Sequence, residues 1–335
     1  MNESYYKIRK LIIDSVIQII KLPDHVFQSA NVETIILLLS KHLITEDVYA
    51  YCFNNNEKVF LQQIRLESFD RNNWKKDKDL RFNIFANKET LSLLSKIEEK
   101  GHPLENYVVT SLGITPYDKY KGHDTNTIKN RLFHSTSKID NSYVPLISGK
   151  NIHPYFVSNE IEEYLHYGEW LGAPRERRFF TNEKIIVRQI VGDELRIIAG
   201  YSNKPHYFTQ IGFSLLSRTN DSNQLMIILA ILNSKLMSFY HKNKYLDVQK
   251  VLFQKVLIAN TKKLPIVMPN DKNRIDSLID TIIKAHQNNP ETDTTVEEQE
   301  IDRLVYHLYD LTYNEIKIVD PETPITKKEY ELNNI

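Results

Sequence analysis

Nine glycines serve 335 residues, and eight of the nine lie between positions 113 and 212. Glycine tolerates left-handed backbone and close chain approach, so the loop chemistry of this chain is concentrated in its middle. No two glycines stand one residue apart, and no Walker-type loop occurs. The glycine-rich loops that let a backbone approach a phosphate or a nucleotide cofactor are therefore missing from this sequence.

The rest of the composition is that of an ordinary globular protein. Hydrophobic residues make up 41% and charged residues 26%, enough apolar material for a sizeable core, and the length suggests two or three domains. The lone cysteine, Cys52, rules out an internal disulfide and fits a reducing cytoplasm. It sits in Tyr49-Ala50-Tyr51-Cys52-Phe53 and reads as a small buried hydrophobe. The start is polar and carries no secretion signal, and the longest apolar runs, 34–39 and 225–232, are too short to cross a bilayer. A cytoplasmic protein with no membrane partner is expected.

The formal net charge of zero hides an asymmetry. Residues 270–335 hold 7 Lys/Arg and 15 Asp/Glu, which leaves 36 and 28 for residues 1–269. A basic body with an acidic tail is permissive for nucleic acid.

Residues 1 to about 62 read as α/β. A helix is expected over 6–12, and the runs Val16–Ile20 and Thr34–Leu39 have the length and continuous apolarity of strands in a buried, often parallel sheet. Val48–Phe53 and Val59–Ile64 suggest an antiparallel pair turning at Asn54-Asn55-Asn56. Residues 65–82 are polar and read as a connector. Leu91, Leu94 and Ile97 predict a helix over 88–100 that stops at Gly101.

The stretch 105–218 reads as β-rich with long loops. Gly192-Asp193 suggests a hairpin between Lys184–Val191 and Glu194–Gly200, and His206–Ser217 supplies a third strand. Leu225–Phe239 returns to helix, and the tail carries two apolar stripes at helical spacing, from Ile275 and from Ile301. Thr295-x-x-Glu298 and Thr312-x-x-Glu315 have the form of capping boxes, with a polar hinge over 288–295 between the stripes.

Two clusters suit nucleic-acid recognition. Between 117 and 155, six cations (Lys119, Lys121, Lys129, Arg131, Lys138, Lys150) face three Asp, with Tyr117, Tyr120, Tyr143 and Tyr155 interleaved. Such a mixture fits phosphate contact and base stacking, or a solvated surface. The second cluster holds Arg175, Arg177, Arg178, Lys184 and Arg188 against Glu176 and Glu183. On a strand, Arg188 points opposite to Gln189, so the two share a groove only at an edge or a twist. An ion pair between Arg188 and Glu169 competes with DNA contact, and Trp170 reads as a core anchor for its loop rather than a stacking wedge. Asp79 with Glu98-x-Lys100 has the letters of a nuclease triplet, but a charged face at the end of a helix explains it better. No His-x-x-x-His or Cys-x-x-Cys stands ready for a metal.

Several motifs, in order, resemble one family. They are Pro145-Leu146-Ile147-Ser148-Gly149-Lys150-Asn151-Ile152 before Tyr155, the loop Gly168-Glu169-Trp170-Leu171 to Pro174-Arg175, and the strand Lys184-Ile185-Ile186-Val187-Arg188-Gln189. Leu232-Asn233-Ser234, Lys263-Leu264-Pro265-Ile266 and Asp302–Thr312 follow. Together they are similar to the target-recognition domain of TaqI-like adenine-specific DNA methyltransferases and type IIG restriction-modification enzymes. The segment Leu22–Thr34 is similar to the methyltransferase sequence that follows the catalytic Asn-Pro-Pro-aromatic loop. That loop is absent here, since Asn289-Pro290 is followed by Glu291.

The resemblance implies an α+β chain in four parts. Residues 1–64 are a remnant of a Rossmann-like methyltransferase domain, with the chain starting partway through it. Residues 65–104 are a connector and helix, 105–268 the target-recognition domain, and 269–335 a helical acidic tail. Double-stranded DNA is the expected partner, with Lys119, Lys121, Lys129, Lys150, Asn151, Arg175, Arg177, Arg188 and Gln189 as candidate contacts. No catalytic, cofactor or metal residue is expected in this chain. S-adenosylmethionine is implied for the complete enzyme, supplied with a catalytic methyltransferase or endonuclease chain. The alternatives are one subunit of a split adenine methyltransferase and a catalytically inert interaction scaffold.

Overall fold

The computed structural model describes residues 5–23, 26, 27, 32, 34–42, 46–53, 58, 59, 61, 64–192, 194–246, 254–270 and 273–332. They form an α+β fold in two compact units, Met1–Ser95 with Asp247–Val251, and Lys96–Leu246 with Leu252–Ile335. No helix among the described residues is long and apolar enough to cross a membrane.

The first unit begins with α1 (Tyr6–Ile12), β1 (Val16–Lys21), β2 (Ile35–Leu39) and β3 (Asp47–Cys52), and continues with β4 (Glu67–Asp70) and α2 (Arg71–Lys76) into α3 (Lys88–Lys100). Its sheet has the order β2-β1-β3-β4. Only β1 and β3 run parallel; β2 and β4 are antiparallel to their neighbours. The apolar run of β2 is therefore not a buried parallel strand: Ile35, Leu38 and Leu39 are exposed at the sheet edge.

Two expectations are corrected here. The partner of β3 is β4, because Phe69 pairs in register with Val48 and carries its ring into the core. Val59 and Ile64 lie in no strand, and positions 54–56 lie outside the described residues, as does most of 22–34. The polar stretch 65–82 is not a plain connector. Asp70 caps α2 by accepting from the Asn72 amide. The helix then delivers Trp74 between Phe69 and Phe82, with ring centroids 6.3 and 5.0 Å away. The polar letters of this stretch conceal one large apolar anchor.

The second unit runs β5 (His102–Pro103), β6 (Val108–Leu112), α4 (Thr125–Lys129), β7 (His134–Ser135), β8 (Tyr143–Ile147), β9 (Tyr155–Phe156), β10 (Glu163–His166), α5 (Arg178–Thr181) and β11 (Lys184–Arg188). It continues with β12 (Ala199–Ser202), β13 (Tyr207–Phe208), β14 (Gly212–Ser217), α6 (Ser222–Asn233), α7 (Lys235–Tyr245), α8 (Ile258–Thr261), β15 (Pro265–Ile266), α9 (Asn273–Asn288), α10 (Thr295–Leu308), α11 (Tyr313–Val319) and α12 (Lys327–Leu332). A five-stranded sheet, β6-β14-β11-β12-β9, and a four-stranded sheet, β13-β8-β10-β7, form its frame. Leu146, Ile147, Leu165, Phe180, Ile186, Tyr207 and Phe208 belong to one buried cluster drawing on both sheets.

β11 and β12 pair antiparallel, from Lys184↔Ser202 to Val187↔Ala199, but the second strand starts at Ala199 and not at Glu194, so the expected two-residue turn does not join them; Asp193 lies outside the described residues. The single strand expected over 206–217 is two strands in different sheets. The helix expected over 225–239 breaks at Ser234, whose hydroxyl caps α7 by accepting from the Met237 amide. All residues from Ile227 to Asn233 are buried, as befits a helix covered on all sides. Thr312 and Glu315 form the predicted capping box of α11. The box expected at Thr295 does not form, because Asp293 takes both the Thr295 amide and hydroxyl; Thr294 occupies the cap position instead.

Candidate nucleic-acid interface

The loop from Tyr167 to Arg177 is held from three sides. Thr115 and Ala173 exchange two backbone hydrogen bonds of 3.0 and 2.8 Å, and the Gly172 amide reaches the Pro116 carbonyl. A side chain at Gly172 would meet the Asp118 Cβ at 2.8 Å, so only glycine lets the two segments approach this closely. His123 then ties the pieces together. Its Nδ1 accepts from the Asp118 amide and its Nε2 donates to the Trp170 carbonyl at 2.7 Å, which fixes the Nε2–H tautomer.

This stitching sets the Asp118 end of the Lys119–Lys121 turn against the 170–173 segment of the loop. The 3-10 turn Lys119–Lys121 presents Lys119, Tyr120 and Lys121 to solvent. Tyr120 is 87% exposed, with the Lys119 ammonium 4.9 Å from its ring centre. Asp118 and Asp124 are occupied as caps, accepting from the Tyr120 and Thr127 amides. Lys129 is exposed at the end of α4.

Tyr167 organises the arginines. Its buried hydroxyl donates to the Arg175 carbonyl at 2.8 Å, and the Arg177 guanidinium lies 4.8 Å over its ring. Arg175 sits at φ +64, in the left-handed region. An arginine there costs about 1–2 kcal/mol and persists only where its surroundings hold it. Its side chain is exposed. It lines an open cleft of about 650 Å³ together with Ser111, Glu169, Arg178, Arg218 and Lys262. Arg178 pairs with Glu176 at 2.8 Å, and Arg218 donates to the Glu105 carbonyl. The cleft thus offers mixed charge with one arginine poised by its backbone.

Residues 144–266 match the family profile of the TaqI-like C-terminal specificity domain. Those residues are a TaqI-like C-terminal specificity domain. The chain is also 27% identical over 303 residues to a protein of Methanocaldococcus jannaschii whose name assigns it to the type II restriction enzymes and methyltransferases. The match covers 87% of this chain and 24% of that protein, so the chain spans about a quarter of the length of this curated relative. Among solved structures, it is similar to the type IIG restriction endonuclease BpuSI, at a TM-score of 0.47 and 10% identity over 99% of this chain and 45% of that one. It is similar also to the type IIL restriction-modification enzyme MmeI in complex with DNA, at 0.48 and 9% over 95% and 46%.

Arg175, Arg177, Arg188, Gln189, Lys150 and Asn151 fall inside the specificity domain; Lys119, Lys121 and Lys129 precede it. Not all are equally placed. Asn151 is buried, and its carboxamide accepts from the Ser148 amide and hydroxyl while donating to Ser158 Oγ and the Glu160 carbonyl. That residue holds a turn and has no atom left for a base. Lys150 pairs with Glu162 on the surface. Arg188 is half-buried and forms no ion pair with Glu169; its charge is felt instead at His153, whose imidazole burial holds below the usual histidine range. Gln189, just past the end of the strand, is half-buried, and its backbone bonds to Ile211 and Val256. Neither Arg188 nor Gln189 lines the cleft that holds Arg175.

Other cations of the two clusters are engaged internally. Lys184 is buried and donates to the carbonyls of Asn182 and Lys204 at 3.0 and 2.7 Å. Arg131 forms a bidentate pair with Glu163, both bonds 2.8 Å. Of the four tyrosines, only Tyr120 is fully exposed. Tyr155 is buried, Tyr117 stacks on Phe133 at 5.2 Å, and Tyr143 stacks on His166 at 4.9 Å. The nuclease-like letters are also occupied: Glu98 accepts from the Tyr240 hydroxyl and pairs with Lys244, and Lys100 pairs with Asp310.

Sequence reasoning missed His123, Tyr167 and Arg218. The partners of His123 and Arg218 are 47 and 113 positions away, a separation that no local pattern records. It also misplaced Trp170. The indole does bond to its own loop, Nε1 to the His166 carbonyl at 3.0 Å, yet it remains 43% exposed.

Proposed function

We propose that this chain is the sequence-specific DNA-recognition part of a restriction-modification adenine-specific DNA methyltransferase. The observation that carries the reading is the Arg175 loop of the specificity domain. It holds an exposed guanidinium in strained backbone, in a loop that Thr115, Pro116 and His123 tie to the segment bearing Lys119 and Lys121. Arginine is the side chain best shaped to read guanine, by bidentate contact with O6 and N7, and lysines that touch phosphate set register without reading sequence. In this reading Arg175, with Arg177 beside it, faces base edges, and Lys119, Lys121, Lys129 and Lys150 follow the backbone.

The catalytic chemistry would come from a methyltransferase or endonuclease part, on the same polypeptide or on a partner chain. S-adenosylmethionine would bind there. The Methanocaldococcus jannaschii protein that this chain matches is named as both restriction enzyme and methyltransferase, which supports such a division of labour. Its special case is a split methyltransferase, with this chain as the subunit that selects the site.

Selection of bound duplexes from a randomised library tests the proposal. At about 0.1 M salt, where sequence-independent attraction is already weakened, the chain should enrich one motif that contains a fixed adenine. Retention of duplexes without enrichment would remove the specificity claim.

A further inference from the structure

Trp170 has an environment that loop anchoring does not explain. The indole leans on His166, with ring centroids 4.1 Å apart and the planes tilted by 40°, and His166 in turn stacks on Tyr143 at 4.9 Å with the planes within 5°. The six-membered ring covers Gly168 so closely that a Cβ there would meet it at 2.3 Å. The indole N–H is already bonded to the His166 carbonyl. Trp170 is 43% exposed, and with its N–H taken, the ring surface that meets solvent is apolar.

Trp74, the other tryptophan, is by contrast 1% exposed. The loop is fastened so that the Trp170 ring stands on the surface. His123 binds the Trp170 carbonyl and also the turn that carries Lys119, the exposed Tyr120 and Lys121. An exposed indole leaning on His166, with a second exposed aromatic and two lysines on the turn bound to its loop, is the composition of a surface that stacks on nucleobases beside phosphates. The anionic neighbours do not cancel this character: Asp118 and Asp124 are engaged as caps, and Glu169 points its residue to the cleft of Arg175.

We infer that Trp170 is a base-stacking residue, whose exposed ring surface packs against a nucleobase unstacked from the bound duplex. Tyr143 and His166 are positioning residues that support the ring from below. The inference rests on the DNA-recognition reading above and adds to it a contact that needs no hydrogen bond to a base edge.

Two titrations run in parallel test it, using the full chain and a duplex from the library selection or, failing enrichment, a random-sequence duplex at low salt. Anisotropy of a labelled duplex reports binding. Tryptophan emission and its quenching by acrylamide report the indole, and subtracting the spectrum of Trp170→Phe isolates Trp170 from the buried Trp74. On saturation with DNA, the emission of Trp170 should be quenched and its acrylamide-accessible fraction lost. Trp170→Ala should weaken binding by roughly 5- to 100-fold, as for other base–aromatic stacks, and Trp170→Phe should restore most of it. Binding by anisotropy with unchanged emission and accessibility of Trp170 would overturn the stacking role and leave the DNA reading intact. An absence of duplex binding under all these conditions would overturn both.

Discussion

The hydroxyl of Tyr167 donates to the carbonyl of Arg175 at 2.8 Å, and Arg175 holds φ +64. A buried phenol thus pins an arginine in a backbone state that arginine avoids. Arg175→Gly separates the two roles. Glycine relieves roughly 1 kcal/mol of left-handed strain, partly offset by its freedom in the unfolded chain. Thermal melting should show stability level or slightly raised, while affinity for the selected duplex falls. Equal losses of stability and binding would mean that Arg175 serves the fold alone.

Tyr167→Phe is the complementary change. It keeps the ring beneath Arg177 and removes the bond to Arg175. Denaturant unfolding should register a cost of about 1 kcal/mol, the usual net worth of one buried hydrogen bond. Duplex affinity should drop with the loosened arginine.

Lys119 and Lys121 stand exposed on one turn. The double change to Gln should weaken binding to all sequences alike. It should also reduce the slope of log affinity against log salt by about 1.8, or 0.9 for each phosphate contact. An unchanged slope would take these lysines off the DNA.

Lys184 gives a prediction about pH. Its ammonium is buried, and desolvation pulls it down to about 7. In the unfolded chain it returns to the ordinary lysine value of about 10.4. Between those values the unfolded chain carries a proton that the folded chain lacks. Stability therefore rises with pH across this window, and below it the penalty is present in full. Urea unfolding should show a gain approaching 1.4 kcal/mol per unit between about pH 7.5 and 9. Lys184→Met should abolish that gain, and a variant with the same slope would contradict the assignment.

Asn233 holds a helix to the central sheet. Its carboxamide accepts from the Ala199 amide and donates to the Ala199 and Leu229 carbonyls. Asn233→Ala strands buried backbone groups, each worth about 1–3 kcal/mol, so chemical denaturation should show a loss of at least about 2 kcal/mol.

That asparagine also shows what the sequence carried. Leu232-Asn233-Ser234 was readable as a family motif, but its letters do not say that Asn233 grips Ala199 or that Ser234 breaks the helix and caps the next one. Elements fixed by local periodicity, such as Lys88–Lys100 and the strand Lys184–Arg188, were readable because burial and spacing repeat along the chain. Pairings that depend on distant partners were not. β4 displaced the expected strand at Val59–Ile64 because Phe69 fits beside Val48 in three dimensions. At the interface, residue type pointed to Arg175, Lys119 and Lys121. It also pointed to Asn151 and Lys184, whose polar atoms are consumed by a turn and by two carbonyls. Charge and amide content are visible in a sequence; whether the group is already satisfied is visible only in the fold.

If the specificity domain reads DNA through the Arg175 loop, as proposed, its preference at one base pair depends on that side chain. Duplex selection from a randomised library, run side by side with the native chain and Arg175→Gly, tests it most directly. The account predicts one enriched motif for the native chain, containing a guanine, and loss of preference at that position in the variant while the rest of the motif survives. An identical motif from both proteins, or none from the native chain, would contradict it.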